Sequence, residues 1–280
     1  MSDCLILGIL PSYHFRVAYA DLTLTTKAIS NIHGLSLAMQ HLSNKTILGA
    51  LFLAELTKDK QRVSIQWKDE TNRSVLAYSD RVGRIKAVAY PGNFASGDLR
   101  NDFILGQGIL KVIRWEEDST FYQSFTNLIE DTVEANIAKF IEESEQIQSL
   151  ISMETWEEEE TCTTKGIILQ ALPESSAESI QTVLVRSHKF LQEHLNWKKT
   201  SSDFLSDLTS LLEDDLQILV EHKPMFQCDC SRNKVSNIIV SLGQKEAESI
   251  LLSEGMIEIT CEFCRTSYRF DEKDTKRFFL

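Results

Sequence analysis

No stretch of the 280-residue chain approaches the roughly 18 consecutive apolar residues that a membrane-spanning helix needs. The N-terminal "MSDCLILGILPSYHF" carries the acidic Asp3, lacks a basic segment and has its apolar run broken by Pro11, so it does not read as a secretory signal. A cytosolic location is expected, where thiols stay reduced and structural disulfides are rare. Positive charge is also in deficit. Against 41 Asp and Glu there are 29 Lys and Arg, a net charge of -12, whereas phosphate recognition depends on concentrated Lys and Arg. Neither a membrane nor a nucleic acid is therefore an expected partner. Internal repeats, extended low-complexity tracts and a nucleophile elbow are all absent, and "GQG" at 106–108 is too short for a phosphate loop and precedes a strand pattern. Asp203, Asp207, Asp214 and Asp215 read as the polar face of an amphipathic helix, not as paired catalytic carboxylates, so a non-enzyme is expected.

With 42% hydrophobic residues the chain can bury one or two cores. From His33 to Lys60, apolar Leu48, Leu51, Phe52 and Leu56 recur in three- and four-residue steps, which predicts a helix, with Ser43 or Asn44 as the N-cap of its second half. "RVSIQWK", "SVLAYSD", "GRIKAVAY" and "GILKVIRW", separated by turn-prone "DETN", "DRVG" and "PGNFASGD", predict an antiparallel meander. Val133, Ile137, Phe140 and Ile141 then share one helix face, with Glu130 and Asp131 suited to its N-terminus. An acidic, solvated turn at Glu157–Glu160 leads into a strand through Ile167, Ile168 and Leu169. Residues 1–173 thus read as an α+β core domain with an antiparallel sheet.

From Glu174 to about Lys223 the strand signals stop and two helical runs follow, with Pro224 ending the region. Ile180, Val183, Leu184, Leu191 and Leu195 make one stripe, and Phe204, Leu205, Leu208, Leu211 and Leu212 make another behind a Ser202 or Asp203 cap, with a polar joint "NWKKTSSD" between them. Leu184, Leu191, Leu205 and Leu212 are too apolar to stay solvated in a stable monomer, so these stripes are expected to lie covered by the first domain.

Residues 227–280 hold four of the six cysteines, as a C-x-C pair, Cys228 and Cys230, and a C-x-x-C pair, Cys261 and Cys264, with 231–260 as spacer. Each pair can curl its backbone to bring two sulfurs onto one tetrahedral zinc ion. The spacer supports closure: Ser231 can cap a helix carrying Val235, Ile238, Ile239 and Leu242, Gly243 can end it, "QKEAESILL" can form a second helix, and "MIEIT" and "SYRF" can form strands around "CEFC". So small a domain has a thin core, and a metal would supply much of its stability. Spacing leaves three readings: a static structural zinc site, a redox-switching site, or unligated cysteines. Arg232, Lys234 and Arg265 would favour thiolate. Cys4 and Cys162 read as bystander thiols, and His33 and His41 as ordinary helix residues, not metal ligands.

"FQCDCSRNKVSNIIVSLGQKEAESILLSEGMIEITCEFCRTSYRFDEKD" resembles the C-terminal module of the heat shock protein 33 family of bacterial redox-regulated chaperones. "ANIAKFIEESEQIQS" is similar to that family's helix ending in Ser-Glu-Gln, and "GIILQALP" to the strand closing its first domain. The resemblance implies an ATP-independent holdase, inactive while reduced and zinc-bound. Oxidants would activate it by joining the cysteines into disulfides, Cys228–Cys230 and Cys261–Cys264, and expelling the metal. It implies one zinc per chain on Cys228, Cys230, Cys261 and Cys264, and a metastable linker at 174–226. Unfolded or aggregation-prone clients would be its partners, meeting Leu184, Leu191, Leu205 and Leu212, with a homodimer on activation left open. Two positions depart from the family pattern: Arg265 and Ala87 stand where glycine is common. The alternative reading is a static zinc-ribbon-like module that binds RNA or a protein partner, for which the basic-aromatic "CRTSYRF" and "TKRFF" are the support.

Overall fold

The computed structural model describes residues 2–57, 61–91, 107–116, 119–128, 131–158 and 161–279. The chain divides into two compact units, Met1–Phe226 and Gln227–Leu280.

The first unit begins with a hairpin of β1 (Cys4–Leu10) and β2 (Phe15–Asp21), followed by α1 (Thr23–His33) and α2 (Leu37–Glu55). Next come β3 (Arg62–Asp69), β4 (Ser74–Asp80), β5 (Arg84–Tyr90), β6 (Gly108–Glu116) and β7 (Ser119–Leu128). Helix α3 (Val133–Glu145) leads to β8 (Ser149–Glu158) and β9 (Thr161–Ala171), then to α4 (Ala177–Gln192), α5 (His194–Trp197) and α6 (Ser201–Leu212). Two strands, β10 (Gln217–His222) and β11 (Met225–Phe226), end the unit. One sheet has the order β10-β1-β2-β9-β8 and the other β11-β5-β4-β3-β6-β7.

Helix α2 is the centre of the main core, which gathers Leu5, Leu7, Ala18 and Ile168 from one sheet and Val63, Ile65, Val75 and Ala77 from the other. Its burial nearly all round explains a departure from the expected capping. Ser36 is the N-cap, accepting from Met39 N, and the helix runs unbroken through Ser43 and Asn44. Those polar residues are buried; Asn44 Nδ2 donates to Thr164 Oγ1 at 2.9 Å, while Ser43 Oγ and Asn44 Oδ1 have no hydrogen-bond partner among the described residues. Trp67 Nε1 donates to Thr46 Oγ1 of the same helix at 2.9 Å. Helix α1 starts at a residue without a side-chain cap, and the Asp3 carboxylate accepts from Leu24 N at 2.8 Å and Thr25 N at 2.7 Å in its place.

The four expected strands after α2 all form, but not as a simple meander, because β3 pairs with both β4 and β6 and so lies inside the sheet. All but the first residue of the expected "PGNFASGD" turn, together with Glu130 and the Glu159–Glu160 part of the acidic turn, lies outside the described residues. Helix α3 buries Val133, Ile137, Phe140 and Ile141 as its periodicity requires, behind a Thr132 cap that accepts from Ala135 N.

A second core lies on the other face of the five-stranded sheet, where Phe15, Val17, Tyr19, Ile167 and Leu169 meet Val183, Leu191, Trp197, Phe204, Leu205, Leu208 and Leu212. The stripes of α4 and α6 are therefore covered, apart from Leu211, which is 38% exposed and outside this core, and with three further corrections to their sequence reading. Thr200, not Ser202 or Asp203, caps α6, accepting from Asp203 N. Leu195 is 75% exposed, because α4 ends at Gln192 before the stripe reaches it. The "polar joint" contains fully buried Trp197, whose indole donates to Leu191 O at 2.9 Å and so keeps its single polar atom satisfied.

Helical structure does not continue to residue 226, since β10 pairs antiparallel with β1 and β11 parallel with β5. Asp214 is likewise not a solvated helix residue. It follows α6, is buried, and accepts from Ser12 N at 3.0 Å and Ser12 Oγ at 2.8 Å in the turn between β1 and β2.

The second unit runs through α7 (Arg232–Leu242), α8 (Gln244–Glu254), the hairpin β12 (Ile257–Thr260) and β13 (Ser267–Phe270), and α9 (Glu272–Phe278). Ser231 caps α7 and Gly243 ends it, as the sequence indicates. The core is thin: Val235, Ile239, Ala247, Ile257 and Phe270 are its buried apolar members. Ile238 and Leu242, expected on the same stripe, are 50% and 48% exposed, because α7 has only one face against so small a core.

Candidate metal centre

Cys228 and Cys230 precede α7, and Cys261 and Cys264 lie in the turn joining β12 to β13. That turn is tied by backbone bonds from Cys261 N to Thr266 O and from Arg265 N to Cys261 O, both 2.9 Å. Arg265 takes the left-handed conformation, φ 59°, at the position where a glycine would adopt it without steric cost.

The four sulfurs, 33 and 34 residues apart in sequence across the two closest pairs, lie within 4.8 Å of one another. Cys228 Sγ is 3.7 Å from Cys261 Sγ, and Cys230 Sγ is 3.3 Å from Cys264 Sγ. A tetrahedron with metal–sulfur bonds of about 2.3 Å has edges of about 3.8 Å, so this donor set suits one tetrahedral ion that accepts four thiolates. All six cysteines are free thiols.

The electrostatics of the cluster are uneven. Burial opposes the Cys264 thiolate, but contacts from Thr266, its backbone N–H and the neighbouring thiols outweigh this and hold Cys264 down to about 6. Burial pushes Cys228 and Cys230 up. Cys264 is thus the more readily ionised thiol, and the desolvated Cys228 and Cys230 resist a second charge beside it. Two of the three basic residues expected to favour thiolate are engaged elsewhere. Arg232 pairs with Asp274 at 2.5 Å and lies over the Phe270 ring, and Lys234 pairs with Asp229 at 2.8 Å.

Two neighbours of the sulfurs were not singled out by sequence reasoning. Tyr268 Oη lies 3.1 Å from Cys230 Sγ, and Thr266 Oγ1 lies 3.2 Å from Cys264 Sγ. A signal for them existed in their places two and four residues after Cys264, where a strand leaving the turn passes back over the site.

Cys4 and Cys162 stand apart. Burial pushes both thiols up, Cys162 to about 11. His41 Nδ1 contacts Thr155 Oγ1 at 2.5 Å, and His33 closes α1; neither belongs to the sulfur cluster. Leu191, Leu205 and Leu212 are buried in the second core and Leu184 packs half-buried against it. In the basic-aromatic segments, Arg269 pairs with Glu258 at 2.9 Å and Lys276 with Glu272 at 2.6 Å. Among the described residues no helix is long and apolar enough to cross a membrane.

A family model described as Hsp33 protein matches residues 3–271. A 33 kDa chaperonin of Thermodesulfovibrio yellowstonii is 26% identical over 289 residues, covering 98% of each chain. One from Streptococcus equi subsp. zooepidemicus is 28% identical over 284 residues, covering 97% of each. Among solved structures, the 33 kDa chaperonin of Thermotoga maritima superposes with a TM-score of 0.86 at 20% identity, covering 99% of this chain and 98% of that one.

Proposed function

The chain belongs to the Hsp33 family, and from that premise we propose that it is a cytosolic, redox-regulated, ATP-independent holdase whose C-terminal unit is kept folded by one zinc ion. The single observation that carries this reading is the convergence of four sulfurs in a unit with five buried apolar core residues. Cys228, Cys230, Cys261 and Cys264 would hold the ion. Zinc has no redox chemistry of its own and keeps its four ligands as thiolates, the form that oxidants attack. Structural zinc contributes roughly 10 to 16 kcal/mol of apparent binding free energy in small peptides, against about 5 to 15 for a whole domain, so its loss unfolds a unit of this size.

The cysteines perform the switch. One thiolate of each pair attacks a peroxide oxygen, the O–O bond breaks, and a sulfenic acid forms. The second thiolate of that pair displaces the sulfenic oxygen and closes the disulfide. Forming each disulfide, Cys228–Cys230 or Cys261–Cys264, consumes one peroxide and two protons, passes two electrons from the two thiolates to the peroxide and yields two waters. No thiolate ligand remains, and neither short disulfide restrains the spacer between the pairs.

Residues 174–226 then act as the metastable linker. Strand β11 ends at Phe226 and the first ligand follows at Cys228, so unfolding of the C-terminal unit frees the end of this segment. Release of α4 to α6 exposes Leu184, Leu191, Leu205 and Leu212 together with the sheet face they covered, which binds unfolded clients by apolar burial and needs no nucleotide. A homodimer on activation would enlarge that surface. The ion pairs on Arg232, Arg269 and Lys276 speak against the RNA-binding alternative, since these three cations already have carboxylate partners.

The test is client aggregation followed by light scattering with reduced and with peroxide-treated protein, while released zinc is titrated. Suppression that appears together with about one zinc released per chain supports the switch. Suppression already maximal in the reduced, zinc-filled protein refutes it.

A further inference from the structure

We infer that Tyr268 is a positioning residue for the sulfur cluster: its hydroxyl, carried on β13 behind the C-x-x-C turn, binds Cys230 of the C-x-C turn and so joins the two halves of the site by a contact that involves no metal. The inference rests on the zinc reading given above.

The geometry is specific. Tyr268 stands opposite Ile259 in the β12–β13 hairpin, and its Oη reaches Cys230 Sγ at 3.1 Å across a sequence separation of 38 residues. Its ring packs against the core of Val235, Ile239, Ala247, Ile257 and Phe270, which limits where the hydroxyl can go. Once Cys230 has lost its proton to act as a ligand, the phenol O–H carries the only hydrogen on this contact, so Tyr268 is the donor and the sulfur the acceptor. Outer-shell partners of this kind orient a ligand and withdraw electron density from it.

Among the described residues, no other cysteine of the cluster has a hydroxyl contact that crosses between the two pairs. Thr266 Oγ1 approaches Cys264 at 3.2 Å, but from within the same turn, two residues along the chain. The Tyr268 contact, by contrast, spans the two cysteine pairs. One consequence follows: the Cys230 sulfur is a weaker nucleophile than it would be with no donor.

Tyr268→Phe removes the hydroxyl and keeps the ring. The test uses the full chain loaded with cobalt(II), whose thiolate-to-metal absorption reports electron density on the sulfurs, and then the zinc-loaded chain alkylated with iodoacetamide, with each cysteine read by peptide mass. The expected result is an absorption shift to longer wavelength and about fivefold faster alkylation of Cys230, the equivalent of one typical net hydrogen bond, with the Cys264 rate unchanged. Identical spectra and identical Cys230 rates in Tyr268→Phe and wild type overturn the inference while leaving the metal site standing. A wild-type chain with no cobalt–thiolate absorption overturns the metal reading itself, and the inference with it. A Tyr268→Phe chain whose Cys230 and Cys264 rates rise together indicates general loosening and also overturns the positioning role. Tyr268→His, which restores a donor on a ring of other shape, should return part of the lost Cys230 protection.

Discussion

Phe204→Ala should convert the reduced protein into a partly active holdase without any oxidant. Phe204 is fully buried where α6 meets the outer sheet face, with its ring centroid 5.1 Å from Tyr19, 5.3 Å from Phe190 and 4.7 Å from Trp197. Truncating a buried phenylalanine costs roughly 3 to 5 kcal/mol, through lost transfer free energy and the cavity left behind. At about 1.4 kcal/mol per tenfold change, this multiplies the population with α4–α6 detached by about 10² to 10³·⁵. For a local opening that costs about 5 kcal/mol in the wild type, a value inside the range for sub-global opening, the detached fraction rises from about one molecule in 4,000 to between about 4% and one half. The assay is hydrogen exchange across 177–212 in the reduced, zinc-loaded chain, run beside light scattering of an unfolding client. Leu211→Ala, at a residue of the same helix that is 38% exposed, is the control and should leave both readouts nearly unchanged. Lost protection without any suppression of aggregation would refute the reasoning, because it would show that the uncovered face does not bind clients. Full protection in Phe204→Ala would refute the energetic step before it.

Three further outcomes are expected. A Cys228→Ser, Cys261→Ser double variant should lose zinc by elemental analysis, while Cys4→Ser and Cys162→Ser should retain it, because only the first two lie in the sulfur cluster. Asp214→Ala should lower stability by about 1 to 3 kcal/mol in chemical denaturation, since it strips a buried clamp of two hydrogen bonds to Ser12; a change below about 0.5 would mean the clamp contributes nothing measurable. Burial pushes the Glu55 carboxyl up to about 7, with Arg16 only partly offsetting it from 3.7 Å. The native state therefore holds a proton there that the unfolded state has released, so the Glu55 contribution is fully present below the ordinary carboxylate range and is lost as pH rises to about 7. Glu55→Gln should flatten that part of the stability profile relative to wild type, by up to roughly 3 kcal/mol at neutral pH.

What the sequence determined by itself is what short-range chemistry controls. Two cysteine turns, a serine cap at 231, a glycine stop at 243 and the Val133–Ile137–Phe140–Ile141 face each depend on residues within one or two turns of backbone, and each is read from neighbours alone. Helices α4 and α6 were legible for the same reason, although their boundaries were not: Thr200 in place of Ser202 and the break before Leu195 depend on how Trp197 finds room in the second core.

Tertiary structure decided the rest. Strands β1 and β2 carry buried residues on both faces, so neither shows the alternation that marks a strand, and α1 takes its cap from Asp3 on another element. Strand β10 exists because residues 217–222 find an open edge on β1, more than 200 positions away, where Leu5 stands opposite His222. No local period records such a pairing. The contact of Tyr268 with Cys230 is of the same kind: hairpin register and the packing of the ring against a thin core bring the hydroxyl to the sulfur, and spacing along the chain specifies neither.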